Sequence, residues 1–474
     1  MTRTVLALSV AAAVLSGCSL IPDYLRPDLP TPEVWPQGDA YKEAKAGEKD
    51  GAPALSDVAW KDFFADPVMQ SLIQQALDNN RDLRVATLNV ELARATYRIS
   101  RSDLFPQLDG AGSVTAQHTP RRLAPAPQTE GVTSRTYGVN AGITAYELDL
   151  FGRIRSLNEQ ALEQYLATEE ARNAAQISLV AEVANAYLTL LGDSKLLALT
   201  NDTLAARQKS LDLIEASFRH GVGSQLDVAQ ARTAVESARS NRIRYIRQVE
   251  QDKNALTLLV GAPIDKAIIT PANLDRIRFV EDLPVGLPSE VLRGRPDIIG
   301  AEHSLMAANA NIGAARAAFF PTITLTATGG TASPDLDGLF DAASGSWSFI
   351  PRVTVPIFTA GRNQANLDRA KASFDIALAQ YEKSIQSAFR EVSDALAAKG
   401  TLSDQRVSLT ALVEASRESL TLSRARYDQG VDSYLSVLDS ERALYSAEQD
   451  LVSIQVLERS NMVDLYKTLG GGAL

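Results

Sequence analysis

The chain has 474 residues, is 45% hydrophobic and carries a formal net charge of −10, with one cysteine and three histidines. That acidity excludes the basic, phosphate-reading face of a nucleic-acid binder. A single cysteine excludes a disulfide framework and a thiolate metal cage.

In chain order, Arg3 precedes an apolar run from Val5 to Val14, followed by Leu15, Ser16, Gly17 and Cys18. The run is too short to span a bilayer as a helix. It resembles a bacterial lipoprotein signal, in which residues 1–17 are removed and Cys18 becomes the acylated first residue. Ser19 after the cysteine, in place of aspartate, resembles the pattern sorted to the outer membrane. A covalent lipid on Cys18 is then the only non-protein group expected; no cofactor or metal is. Residues 18–66, with prolines from Pro22 to Pro36, read as an extended segment.

The rest of the chain contains itself twice. Asp82, Ala86, Ala93, Ala95, Arg101, Phe105 and Pro106 recur at Asp297, Ala301, Ala308, Ala310, Arg316, Phe320 and Pro321, a shift of 215. Gly152-Arg153, Gly221, Ser224, Leu226, Val228 and Gly261 recur at Gly361-Arg362, Gly430, Ser433, Leu435, Val437 and Gly470, a shift of 209. The lost residues fall between Pro321 and Gly361, among strands and a loop. Repeat one covers 67–262 and repeat two 297–474, with the proline-containing connector 263–296 between them.

Each repeat opens with a helix, from about Pro67 to Leu104 and from Asp297 to Phe319. Strands follow at about 107–117 and 135–149 in the first repeat, and about 322–330 and 346–358 in the second. No proline occurs between Gln128 and Ala262 or after Ile357, so long helices are expected over about 153–260 and 362–469. One from Arg153 to His220 would be roughly 100 Å long, with Gly192-Asp193 its expected irregularity. Gly221 and Gly430 sit where the helices must turn back, a left-handed position that suits glycine.

The strands alternate over the length that a tilted membrane strand needs. Tyr137, Val139, Ala141, Ile143 and Ala145 are set against Gly138, Asn140, Gly142 and Thr144; Thr322, Thr324, Thr326 and Thr328 against Ile323, Leu325 and Ala327. Phe105, Tyr146, Phe151, Phe319, Phe320, Trp347 and Phe358 lie near strand ends, as an interfacial girdle would. Alternation also fits a soluble sheet with one wet face. Four strands cannot close a membrane barrel, because an open edge in lipid leaves backbone groups unsatisfied. Sharing among three chains gives about twelve strands and room for a conduit.

At Trp60 to Pro67, Leu72 to Leu83, Arg295 to Ile298 with Ala301-Glu302, Ala315 to Pro321 and Pro356 to Arg362, the chain resembles the TolC-like outer membrane factors, specifically the OprM-type (NodT-type) efflux lipoproteins. The resemblance covers almost all of the mature chain. It implies a mainly α protein with a transmembrane β-barrel: a homotrimer with a shared 12-stranded barrel in the outer membrane and an α-helical barrel across the periplasm. Segments 18–66 and 263–296 would be equatorial. It further implies a periplasmic membrane fusion (adaptor) protein and an inner-membrane resistance-nodulation-division transporter as partners, outer-membrane lipid around the barrel, and no catalytic chemistry.

The family's periplasmic gate maps onto Tyr427, Leu435, Asp439 and Arg442. Asp439 and Arg442 are three apart on a helix and share a face, and Leu435 lies one turn earlier. The first repeat has Gln230 and Thr233 at the positions matching Asp439 and Arg442, so the gate falls to the second repeat. The helix tips Gly221, Val222, Gly223, Ser224 and Gly430, Val431, Asp432, Ser433 are the candidate adaptor contacts. Type I protein secretion, metal export and a periplasmic structural role are the alternatives. His118, His220 and His303 stand apart, without metal-ligand spacing, and read as structural.

Overall fold

The computed structural model describes residues 19–41, 58–123, 130–264, 274, 276–279 and 292–471. The signal segment and Cys18 lie outside the described residues. The helices are α1 (Trp60–Phe63), α2 (Pro67–Asn79), α3 (Arg81–Ser102), α4 (Arg153–Arg219), α5 (Gln225–Val260), α6 (Pro296–Ala317), α7 (Arg362–Asp428) and α8 (Tyr434–Thr468). The strands are β1 (Leu108–Thr119), β2 (Val132–Leu148), β3 (Thr322–Ser333) and β4 (Gly345–Thr354).

The compact units are not the sequence repeats. Val90–Thr168 and Ala301–Tyr381 join the N-terminal segment to Pro27 in one unit; Asp28–Asn89, Glu169–Gly300 and Glu382–Leu474 make the other. Among the described residues each repeat supplies two strands, and an isolated two-stranded ribbon is marginal at best. Antiparallel pairing of β2 with β3 merges them into one sheet of order β1-β2-β3-β4.

Several boundaries differ from the sequence expectation, each for a physical reason. The first helix breaks at Asn80, whose extended backbone caps α3: its Oδ1 accepts from the Leu83 N–H at 2.9 Å, and its Nδ2 donates to the Leu259 carbonyl. Strand β4 stops at Thr354 rather than near 358, just before Pro356, which has no N–H for a ladder. Helix α4 is continuous through Gly192-Asp193. Gly192 serves packing, since a Cβ there would lie 2.5 Å from Val456 Cγ2 on α8. Asp193 is buried, and burial raises its pKa; burial, with Asp193 as neighbour, pushes Asp252 of α5 up to about 7.

In the sheet unit, residues 20–26 run as a strap along α6. Arg316 donates to the Leu20 carbonyl, Asn309 donates to the Pro22 carbonyl at 2.8 Å, and Arg26 pairs with Glu302. Gly313 has no room for a side chain there: a Cβ would meet Ile21 and Ser156 within 2.9 Å. His303 of α6 pairs with Glu163 at 2.6 Å, a structural role.

In the helical unit, the main core gathers Phe63, Phe64, Met69, Leu72, Ile73, Tyr187, Leu190, Leu191, Leu256 and Tyr466. Phe63, Phe64, Phe279 and Tyr466 form one aromatic cluster with ring centres 4.8–6.0 Å apart. Among the described residues, α4 is the one helix long and apolar enough to cross a membrane, but most of that stretch is buried inside the chain. A second core holds Leu211 and Ile214 of α4, Val228, Ala231, Ala234 and Val235 of α5, and Tyr434, Val437 and Leu438 of α8.

Candidate channel wall and gate

Directly opposed residues of paired strands share a face, so the register assigns every side chain to one side of the sheet. One side carries Leu108 and Val114 from β1, and Tyr137, Val139, Ala141 and Ile143 from β2. It continues through Ile323, Leu325, Ala327 and Gly329 of β3 to Val353, Pro351, Phe349 and Trp347 of β4. The opposite side carries Asp109, Ser113, Asn140, Thr322, Thr324, Thr326, Thr328, Arg352, Ser348 and Ser346, with Ile350 and, at the start of β2, Val132 the large apolar side chains on it. Along these residues the apolar side is continuous across both repeats, whereas toward the hairpin ends the same side carries His118, Thr133, Arg135, Thr331 and Ser333. It is largely uncovered, with Leu108, Val114, Val139, Phe349, Val353 and Trp347 all exposed, Trp347 at 84%.

A bulge between Ile143 and Tyr146 corrects the simple alternation. One extra residue is accommodated with Ala145 at φ 56°, its N–H donating to Thr326 Oγ1. Tyr146, not Ala145, therefore continues the apolar side. The expected aromatic girdle divides as well. Phe105, Phe319, Trp347 and Phe358 are exposed, whereas the Tyr146 hydroxyl donates to the Leu104 carbonyl and Phe151 stacks at 4.7 Å on Phe320, itself 39% exposed. Those last two rings pack the strand-to-helix junction.

Among the described residues, the outer edges of β1 and β4 have no partner strand. In water such edges invite pairing; in lipid their free N–H and C=O groups are intolerable.

The second site is the helix-tip region. Gly221 and Gly430 turn the chain at φ 79° and 70°. Val222 and Val431 are exposed, at 82% and 62%. The two tips are chemically different. Ser224 and Asp227 form a complete capping box at the start of α5, whereas Ser433 makes no side-chain cap and Asp432 instead takes a bidentate bond from Arg426 at 2.5 and 3.2 Å. Ser224→Ala should therefore cost the first tip about 1 kcal/mol and Ser433→Ala almost nothing. Amide hydrogen exchange over the first turns of α5 and α8 reads the difference.

Leu435, Asp439 and Arg442 lie at helical spacing along an exposed stripe of α8. Arg442 Nη1 is 3.6 Å from Asp439 Oδ1, with side chains 55% and 64% exposed. Tyr427 is brought elsewhere. Its ring lies 5.6 Å from that of Tyr434, against the second core, and burial followed by the Asp227 and Asp428 charges raises its pKa. Tyr434 is pushed up to about 12, chiefly by burial and then by Glu441.

Sequence reasoning passed over a ladder of ion pairs along the same hairpin: Arg424–Glu441 and Arg417–Glu448 at 2.9 Å, and Arg406–Glu458. The signal was available, since in each pair the two charges stand at nearly equal distances before and after the Asp432–Ser433 junction. It also passed over Arg207, a buried cation on α4.

A continuous apolar sheet face, two open strand edges and long antiparallel helices define an outer-membrane channel of the mixed β- and α-barrel class. Comparison with known proteins places the chain within it. The outer membrane efflux protein family model matches residues 72–262, within the first repeat, and 287–471, the end of the connector and nearly all of the second repeat. The chain is 49% identical to the probable efflux pump outer membrane protein TtgC of Pseudomonas putida, over 100% of this chain and 96% of that one. It is 50% identical to the solvent efflux pump outer membrane protein SrpC of Pseudomonas putida, over 98% and 97%. The open-state crystal structure of the Neisseria gonorrhoeae MtrE outer membrane channel superimposes with a TM-score of 0.84 at 40% identity, covering 96% of this chain and 98% of that one. The chain belongs to the outer membrane efflux protein family: it is an outer-membrane efflux channel, not an enzyme.

Proposed function

We propose that this channel is the exit duct of a tripartite pump that removes drugs and solvents, and that it works as a homotrimer. The observation that carries the reading is the sheet register: one apolar side, one polar side and two open edges. Three copies edge to edge make a 12-stranded barrel with the apolar side toward lipid and the threonine-rich side lining a duct. Exposed Val85, Leu88, Leu92 and Ile99 on α3 recur at helical spacing, and a neighbouring copy would cover them. The substrate class follows from the antibiotic and solvent pumps to which the relatives belong.

An adaptor and a resistance-nodulation-division transporter complete the assembly, the adaptor meeting the exposed tips Gly221–Ser224 and Gly430–Ser433. Cys18 carries the lipid. The strap along α6 supports this, because it holds Leu20 beside Arg316, near the base of β3. An N-terminal peptide of unacylated mass would count against the anchor.

The gate lies at the exposed stripe Leu435, Asp439 and Arg442, steadied by Tyr427 on Tyr434. Three copies would form an apolar ring beside a ring of weak ion pairs, which resists water and ions. Exposed pairs of this kind contribute about 0.2–1 kcal/mol each, small enough for an adaptor to undo. The test is single-channel conductance of the purified protein in a planar bilayer, wild type against Asp439→Ala/Arg442→Ala. A low wild-type conductance that rises several-fold is expected. A folded trimer that conducts in neither form would overturn the reading.

A further inference from the structure

Beside the gate lies a charge that the stripe on α8 does not use. Arg207 on α4 is only 6% exposed. Its Nη1 donates to the Ala234 carbonyl on α5 at 3.1 Å, and its guanidinium carbon lies 5.5 Å from the centre of the Tyr445 ring on α8. Its Nε is buried with no acceptor. Burial lowers its pKa, with Glu441 the strongest opposing influence; a guanidinium nevertheless stays charged.

Glu441 sits one turn before Tyr445 on the same face of α8 and is 8% exposed. Its Oε1 accepts from Arg424 of α7 at 2.9 Å, while its Oε2 is buried without a donor. Tyr434 and Arg442 are the other charged or titratable groups facing Arg207. No ion pair joins Arg207 to Glu441.

Two opposite charges in one core therefore each keep a buried polar atom unsatisfied. Such atoms are costly, and a native structure that retains them invites a functional explanation. The two charges also belong to different hairpins. The hydrogen bond of Arg207 stays within α4–α5, although its guanidinium rests over Tyr445 of α8, and that of Glu441 stays within α7–α8.

We propose that Glu441 is a two-position carboxylate: held by Arg424 in the conformation seen here, it passes to Arg207 when α7–α8 turns against α4–α5, and that second pairing stabilises the displaced gate. Asp439 and Arg442 flank Glu441 on the same helix, so any turn that carries Glu441 carries them too. Arg207 is thus a positioning residue, kept buried and incompletely bonded for the other state. The inference rests on the gate assigned above to α8.

Single-channel recordings of the full-length channel test it with Arg424→Met, Arg207→Met and the double variant. Arg424→Met releases Glu441 and should raise open occupancy about tenfold. Arg207→Met should lower it, and should cancel the gain in the double variant. Arg207→Met should also raise the melting temperature by about 2 °C, because it removes a buried, half-satisfied charge while keeping an apolar chain in place of the arginine stem.

A fall in melting temperature would make Arg207 an ordinary structural bolt and overturn the proposal. A gain from Arg424→Met that persists without Arg207 would also overturn it, while leaving the gate in place if Asp439→Ala/Arg442→Ala still opens the channel. If that pair of substitutions opens nothing, the gate and the exchange fail together.

Discussion

Gly330→Val should abolish insertion of the channel, reducing the outer-membrane fraction of folded protein about tenfold or more. Gly330 lies on the polar side of β3, opposite Asn140. A Cβ there would stand 2.2 Å from the Val139 carbonyl oxygen and 2.6 Å from Asn140 Cα. These are backbone atoms of the adjacent strand, so no side chain can swing away. Only separation of β2 from β3 relieves the overlap, and that is the junction through which the two repeats become one sheet. Overpacking of this kind costs about 3 kcal/mol, on a unit whose strands have no soluble alternative.

Gly142→Val should behave alike, since its Cβ would lie 2.3 Å from the Ala327 carbonyl oxygen. Gly329→Val is the control. Gly329 is adjacent in sequence but on the apolar side, with nothing within 4 Å of a built Cβ, and the variant should insert as wild type does. Fractionation and heat-modifiable electrophoresis of the three variants check the set. Insertion of Gly330→Val at wild-type levels would show that the strands do not approach as described.

The second large effect is expected at Arg295. Its side chain is 9% exposed and reaches three acceptors: Asp297 at 2.7 and 3.0 Å, Glu391 of α7 at 2.9 Å, and the Thr468 carbonyl at the end of α8 at 2.8 Å. One guanidinium thus ties the start of α6 to α7 and to the C-terminal end of α8. Arg295→Met retains the apolar stem but strands the Thr468 carbonyl and removes the counter-charge of two carboxylates. Breaking a buried pair costs about 3–5 kcal/mol.

The partial exposure of Asp297 and Glu391 lets water take part of the load, which places the expected loss at the lower end, about 3 kcal/mol. Arg295→Lys should recover little, because a single ammonium cannot reproduce the planar fork. Thermal unfolding followed by helical circular dichroism checks both. An unchanged midpoint in Arg295→Met would mean that the fork contributes nothing to cohesion of the helical unit.

Much of this architecture was legible because it rests on local rules. The absence of proline over two long stretches marks α4, α5, α7 and α8, and the paired glycines mark their turns at positive φ. Period-two alternation marks β2 and β3. The break at Asn80 was hidden, because it depends on a side chain reaching the Leu259 carbonyl from 179 residues away. The continuity at Gly192 was hidden for a similar reason: a glycine weakens a helix in isolation but is favoured where another helix passes within contact distance. The bulge at Ala145 required the partner strand to be known.

The same division separates the candidate functional residues. Leu435, Asp439 and Arg442 could be read as a stripe from their spacing, since residues three and four apart on a helix share a face whatever surrounds them. The sequence by itself thus determined the repeat, most of the helices, the alternation of the strands and the exposed stripe of Leu435, Asp439 and Arg442, all of which follow from periodicity within one segment. Only the tertiary structure decided that the repeats merge through β2 and β3, that Arg295 closes on Thr468, and that Arg207 and Glu441 share a core without pairing. Those outcomes depend on which distant groups desolvate one another, and burial of a charge is a property of the packed neighbourhood rather than of the residue that bears it.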